Sequence, residues 1–490
     1  MSNRVWPTLR QAAAHAHHTS VAPLAWDPTN LVLSRFSFGP TASSRAYVHK
    51  VGLDGWYRHE LAAAHRYAEY AGNTRVRKHG TMLALTPAAI RARLKAAGNE
   101  YGWDAMDQLT RVTLGMQAFS AAQLYETLVD FFSNHLHVAN HSDSVWLTRP
   151  SYDRDVIRRH ALGKFSDMLL ASARHPAMLT FLNLAESTKA AVNENYGREL
   201  LELHTVGLHY TESDVRNAAR LLTGRTVDDQ FRYRYDASRH WTGPVRVLGF
   251  HAANTGAAGG QAAGDALLRY LARHPATAQL LARKLCVHYV SDSPSTSLVN
   301  AVAHAYRAHD TAIEPMVRTI LHSTEFWQSR GRKVRRPTEN LLATVRVLGT
   351  RVSNMDKALH TLHWMSATMG HAPLDWPAPN GYPDVAAAWR SASTLLTEWE
   401  LHLGFAGDWW DGFAHSDKTA LYGRRPHNSG DAINLITRRL TGQTFRAAHR
   451  HALQRFVGEP ASTPMHESRL RWLLYPLIAV VLDGPHHALR

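Results

Sequence analysis

The sequence predicts a mainly α-helical protein: a single large multi-helix domain with a small β-hairpin insertion near residues 230–250. Three observations lead there. Apolar residues recur at helical spacing along most of the chain and make up 45% of it, a globular proportion. Strict alternation is confined to "QFRYRYD" (Gln230 to Asp236) and "VRVLGFH" (Val245 to His251), which are expected to pair as the hairpin. Although 490 residues could form two to four domains, no low-complexity linker and no repeat of 20–50 residues divides them.

Residues 1–28 read as a flexible lead-in, and 29–490 as one helical domain, with a core over about 103–349 and a C-terminal helical part over about 350–490. "DPTNLVLSRFSFG" starts the first helix, with Asp27 or Thr29 as cap. "TPAAIRARLKAAG" has Thr86 before Pro87 at its start and Gly98 just past its end, the usual stop and start pair. A long helical region covers Trp103 to His137, and a following one breaks at His175–Pro176. "TGAAGGQAAG" is a flexible loop, and helices resume from Gly264 to about Gly349. "DWPAPNGYPD" is a Pro-rich loop whose Trp and Tyr anchor it in a defined shape. "LLYPLIAVVL" is too short to span a bilayer and suits a buried helix.

Composition excludes several classes. One cysteine, Cys286, rules out an internal disulfide framework and a cysteine-based zinc site. The N-terminus lacks the apolar stretch of a signal peptide, so a cytoplasmic setting is expected, with no transmembrane segment. The net charge is +15, yet Lys and Arg are scattered and the densest spot, "RGRKVRR", is interrupted. Nucleic acid is therefore not the expected partner. There is no Walker A loop, no G-x-S-x-G, no H-E-x-x-H and no G-x-G-x-x-G after a strand.

Chemistry concentrates in "NENYGRELLELHTVGLHYTESDV" (Asn193 to Val215). On a regular helix Asn195, Arg198, Glu199 and Glu202 form one stripe, while Tyr196, Leu200, Leu201 and His204 lie opposite. Glu199 and Glu202 can then share a proton, a ligand or a metal, and His204 can join them only if the last turn unwinds before Gly207. Two readings of the stripe compete. One is a solvated face with an Arg198–Glu202 pair four residues apart. The other is a site covered by a second layer of helices, where paired carboxylates bind a divalent ion or divide acid and base roles. His204 otherwise reads as a buried, hydrogen-bonded core histidine. His135 falls on the apolar face of "LYETLVDFFSNHLHV" and points inward, while His160 and His240 are candidates of the same undecided kind. Thr211 with Asp214 three residues on resembles a capping box.

The chain resembles a family of large bacterial proteins grouped as domain of unknown function 1800. The segments that carry the resemblance are "LSRFSFGPT", "HPAMLTFLN", "NENYGRELLELHTVG", "YTESDVRNAARLLTG", "RHWTGPVRVLG", "HPATAQLLARKL", "RRPTE", "PNGYP…AW" and "YPLIAVVLDGPHHALR". The matching positions include His135, Asn193, Glu194, Asn195, Arg198, Glu199, Glu202, His204, Thr211, Asp214, Thr223, Gly224 and His240. The chain departs from the family's pattern in four places. Asn183 stands where Asp is usual, Arg225 where Trp is usual, Trp241 where Asp is usual, and Val245 where Lys is common. The resemblance implies a helical fold and no established reaction.

The expected function is an enzyme acting on a small polar or saccharide-like substrate, by oxidative or hydrolytic chemistry. Glu199, Glu202, Arg198 and Asn195 are its expected catalytic residues. Asn193, Asp214 and His240 are expected to contact substrate. A divalent ion (iron, zinc or manganese) would be held by His135, Glu199, Glu202 and His204. Two alternatives stand beside it: a metal-free hydrolase or lyase using the Glu pair as acid and base on a glycan-like substrate, and a non-catalytic basic binding or assembly protein. The sequence leaves the oligomeric state open.

Overall fold

A computed structural model of the chain describes residues 27–65, 71–99, 101–142 and 145–490. The expected lead-in lies outside these residues except for its last two. Asp27 accepts from the Thr29 N–H at 2.9 Å and caps the helix Pro28–Arg35. The architecture is helical throughout. Among the described residues the strands are four three-residue segments in two antiparallel pairs. No described helix is long and apolar enough to cross a membrane.

The long helical region expected over residues 103–137 is two helices, Trp103–Phe119 and Gln123–His135. The break is held by side chains that satisfy the loose ends of both. Gln123 donates to the carbonyls of Gln117 and Ser120 at 3.0 and 2.9 Å and accepts from the Phe38 N–H. The buried Glu60 accepts from the Leu124 N–H at 2.9 Å, which caps the second helix. The two helices feed different cores, Leu114 and Ala118 of the first entering one cluster and Leu124, Leu128 and Phe132 of the second another.

The β insertion differs from expectation in its pairing. β1 (Arg225–Val227) pairs with β2 (Tyr233–Tyr235), and β3 (Val245–Val247) pairs with β4 (Phe250–Ala252). "VRVLGFH" is therefore a hairpin in itself, turning at Leu248 and Gly249, both with positive φ (50° and 88°). The turn was hidden because leucine rarely adopts that conformation. Gly224 opens β1 with φ 87°, and a Cβ there would lie 2.8 Å from the Asp236 carbonyl.

Two large apolar cores result. The first gathers Leu128 and Phe132 from the Gln123–His135 helix, Leu200 and Leu201, Leu281 and Leu285 from Pro275–Tyr289, and the helices through Trp327. Cys286 is buried in it, and burial pushes its thiol up to about 12. The second core joins Pro337–Leu348, buried along its whole length, to Ala392–Ala406, Ser429–Thr441 and Glu467–Asp483.

"RGRKVRR" runs inward between the cores. Buried Arg336 pairs with Asp130 (2.5 Å) and Glu339 (2.8 Å), and Arg490 pairs with Glu339 (2.7 Å). Buried Lys333 pairs with Asp292 (2.8 Å) and Asp384 (2.9 Å), and Asp384 also accepts from His288 Nδ1 at 2.5 Å. Asp384 ends the Pro-rich loop, whose Tyr382 donates to the Ala372 carbonyl. In that loop Gly381 (φ 69°) approaches the Asn134 carbonyl too closely for any Cβ. Cations and carboxylates thus tie five separate segments together around Lys333, Arg336 and Glu339.

Candidate active site

The central motif begins as the α-helix Asn195–Glu199 and continues as a π turn, Leu200–His204. The turn does not unwind before Gly207, the condition on which His204 could have joined the carboxylates. The backbone stays wound, and His204 swings fully into the core beside Leu200 and Leu201. Thr205 Oγ1 donates to the Leu200 carbonyl at 2.6 Å and helps close the widened turn. Single π turns of this kind are frequent at functional sites.

Glu199 and Glu202 are half-buried on the other side. Burial raises the Glu199 carboxyl above its ordinary value, and the neighbouring Glu202 raises it further. Glu202 accepts a 2.5 Å hydrogen bond from the Tyr210 hydroxyl. The expected Arg198–Glu202 pair is replaced by a bidentate Arg198–Glu212 pair at 2.7 and 2.8 Å, with Glu194 3.9 Å away. Glu212 wins because it opens the next helix, whose first turn packs beside the motif. The face is thus a polar network reachable from solvent, with two carboxyl groups in different surroundings.

The residues expected to touch substrate have structural duties. The Asn193 side chain accepts from the Asn195 N–H at 2.9 Å, and the Asn195 amide reaches Asn183 at 3.4 Å. Asn183 is left-handed (φ 59°), a conformation that asparagine tolerates. Asp214 completes the capping box with Thr211 and accepts from the Leu248 N–H at 2.8 Å, which binds the second hairpin to the helix start. His240 is buried, with its two ring nitrogens 2.8 Å from the Thr223 carbonyl and 2.9 Å from Asn254 Oδ1. Arg225, at a position of departure from the family's pattern, is buried against Asp265 at 2.7 Å, and Asp265 also pairs with Arg174. Trp241 lies under Arg220, 5.0 Å from ring to guanidinium.

His135 points inward as expected, but toward a different set of groups. Its Nε2 lies 3.0 Å from the His204 carbonyl, and Lys284 Nζ lies 3.2 Å from its Nδ1. A carbonyl only accepts and a lysine amine donates here, so His135 is the neutral tautomer with its proton on Nε2. Burial holds His135 far below the ordinary imidazole value and His204 at about 3, each lowered further by Lys284. Neither ring nitrogen of His204 has a protein partner, contrary to the expected hydrogen-bonded histidine. Burial also brings Lys284 down to about 8.

The expected metal ligands are therefore divided. His135 and His204 sit in the core, and Glu199 and Glu202 on the half-exposed face. Among the described residues no group of three or more His, Cys, Asp or Glu side chains is placed to hold an ion. With both His135 nitrogens engaged, this donor set does not fit a metal. Sequence reasoning missed Tyr210 and Lys284. Lys284 carried a readable signal: it follows Leu281 by three residues and precedes His288 by four, which puts a cation on the buried stripe of its helix.

Comparison with known proteins adds one match. A family model described as "Protein of unknown function (DUF1800)" covers residues 31–489. No curated protein and no solved structure matches the chain.

Proposed function

Because the chain belongs to the DUF1800 family, whose description assigns no activity, we propose a function from the geometry alone: an acid–base enzyme, a hydrolase or lyase acting on a polar, saccharide-like substrate at the Glu199–Glu202 face. The observation that carries this reading is the unequal setting of the two carboxyl groups. Glu199 is half-buried beside a second carboxylate, which favours its protonated form. Glu202 accepts a hydrogen bond from the Tyr210 hydroxyl. Carboxyl groups in unequal settings can divide acid and base roles. Glu199 donates a proton to the departing oxygen, and Glu202 takes one from water or from a substrate carbon. Arg198, oriented by Glu212, supplies positive charge at the rim for a polar or acidic substrate.

The test is a screen of oligosaccharides for new reducing ends or unsaturated products, followed by Glu199→Gln and Glu202→Gln in the active assay. Each variant should lose about 10²–10⁴-fold in turnover with an unchanged circular dichroism spectrum. Full turnover in both variants would overturn the proposal.

A further inference from the structure

The helix Ala392–Ala406 has a second apolar side that nothing among the described residues covers. Leu401, Phe405 and Ala406 enter the second core, with Glu398 and His402 buried beside them. Spacing by three and four puts Ala392, Leu395, Trp399 and Leu403 on another side, with Leu396 next to them, and all five are exposed. Leu396 is the most open of the large ones, at 61%. Just ahead of the helix Val385, Ala387 and Ala388 are exposed as well. Contiguous apolar surface of this kind marks a docking site. Charge decides what docks there. The chain carries +15, so two copies repel wherever cations line their contact. This face has none: no Lys or Arg occurs between Arg390 and Lys418, nor from Trp472 to Asp483 in the neighbouring helix against which it packs. An anionic membrane or a nucleic acid needs such cations beside the strip. The charges at its margin are one of each sign. Arg390 lies at its start and Glu400 along its later half, both exposed, and among the described residues neither has an ion-pair partner.

We propose that this face binds a second copy of the chain, with the two Ala392–Ala406 helices antiparallel across a two-fold axis. In that arrangement the start of one strip meets the end of the other. Ala392 faces Leu403 of the second copy, small against large, and Leu396 and Trp399 pack together at the centre. Arg390 comes beside Glu400 of the second copy, and the symmetry repeats the contact. A parallel arrangement would set Arg390 against Arg390 and Glu400 against Glu400, which like charge disfavours. One helix face is at the low end of interface size, so the dimer forms at about micromolar concentration. The surface belongs to the second core and lies apart from Glu199 and Glu202, so its test does not depend on the reading of that pair.

The experiment is sedimentation velocity on the full-length wild-type protein at roughly 1–100 µM in physiological salt. The expected result is a 54.8 kDa species that converts to one of twice that mass as concentration rises. Leu396→Glu should weaken the dimer about a hundredfold with an unchanged circular dichroism spectrum. Arg390→Glu should weaken it about tenfold, and adding Glu400→Arg should restore it. A wild type that stays monomeric at the highest concentration overturns the proposal, and so does a dimer that Leu396→Glu leaves unchanged. Failure of the double variant to recover overturns the antiparallel arrangement. A monomeric wild type that binds phosphatidylglycerol vesicles gives the face to lipid, and one that dimerises only after residues 1–26 are removed gives it to that segment; either overturns the proposal. If Leu396→Glu does not fold, the wild-type mass and the charge-reversal pair still decide.

Discussion

Asp265 shows what a single residue does in this protein. It faces two arginines, the fully buried Arg225 and the partly exposed Arg174. Asp265→Asn leaves a guanidinium in the core with no countercharge, so unfolding in denaturant should show a loss of about 3–5 kcal/mol. Loss of less than 1 kcal/mol would mean that water reaches Arg225. At this scale the sequence was legible where a side chain acts on its own neighbours. Asp27 and the Thr211–Asp214 box cap their helices as their spacing predicts. It was not legible where partners come from far along the chain. Nothing near Arg225 announces Asp265, and nothing near His135 announces Lys284. Asp214 and His240 look available in a string of letters, and only the fold shows their polar atoms already engaged by Leu248, Thr223 and Asn254.

At the scale of the element, most helices were readable, whereas the strand Arg225–Val227, the helix start at Gly260, the breaks and the strand pairings were not. The hairpin region was located by its alternation, yet the turn inside β3–β4 rests on a left-handed leucine that no turn rule favours. The π turn is likewise invisible to a 100° wheel, which assumes the period it is asked to test. Glu60 offers a sharp test of how one helix start is secured. Burial raises its carboxyl to about 7, so the neutral form is the one that suits the folded state. Stability from this residue is therefore full below about pH 4.5 and is lost as pH rises through 7. Glu60→Gln removes that dependence, and its unfolding free energy relative to wild type should rise by about 3 kcal/mol between pH 4.5 and 8. Parallel pH profiles would show that the helix start relaxes to admit water.

For the whole molecule, the distribution of charge matters more than its sum. Part of the basic character is interior: Arg35, Arg149, Arg225 and Arg336 are among the largest fully buried side chains, and Lys333 joins them. The "RGRKVRR" segment looks like a surface patch in sequence and is a fastening between two cores in the structure. Glu339 and Asp384 are held below the usual carboxylate range by Arg336 and Lys333 respectively, despite burial. A depressed carboxyl contributes stability that is present above about pH 4 and lost as pH falls toward the folded value. Acid should therefore unfold wild type cooperatively below about pH 4. Glu339→Gln should be weaker at neutral pH by about 3–5 kcal/mol and less steep in acid, as followed by tryptophan fluorescence. An unaltered acid slope would place the sensitive carboxylates elsewhere.

The lone thiol has a practical meaning. Cys286 is sealed within the first core, two residues past Lys284, and its thiolate form is suppressed. It reacts only when its helix parts from its neighbours. With no second cysteine to confuse the signal, the pace of a disulfide-exchange dye becomes a clock for that opening, readable in the untouched protein and able to tell a loose helix from a shut one.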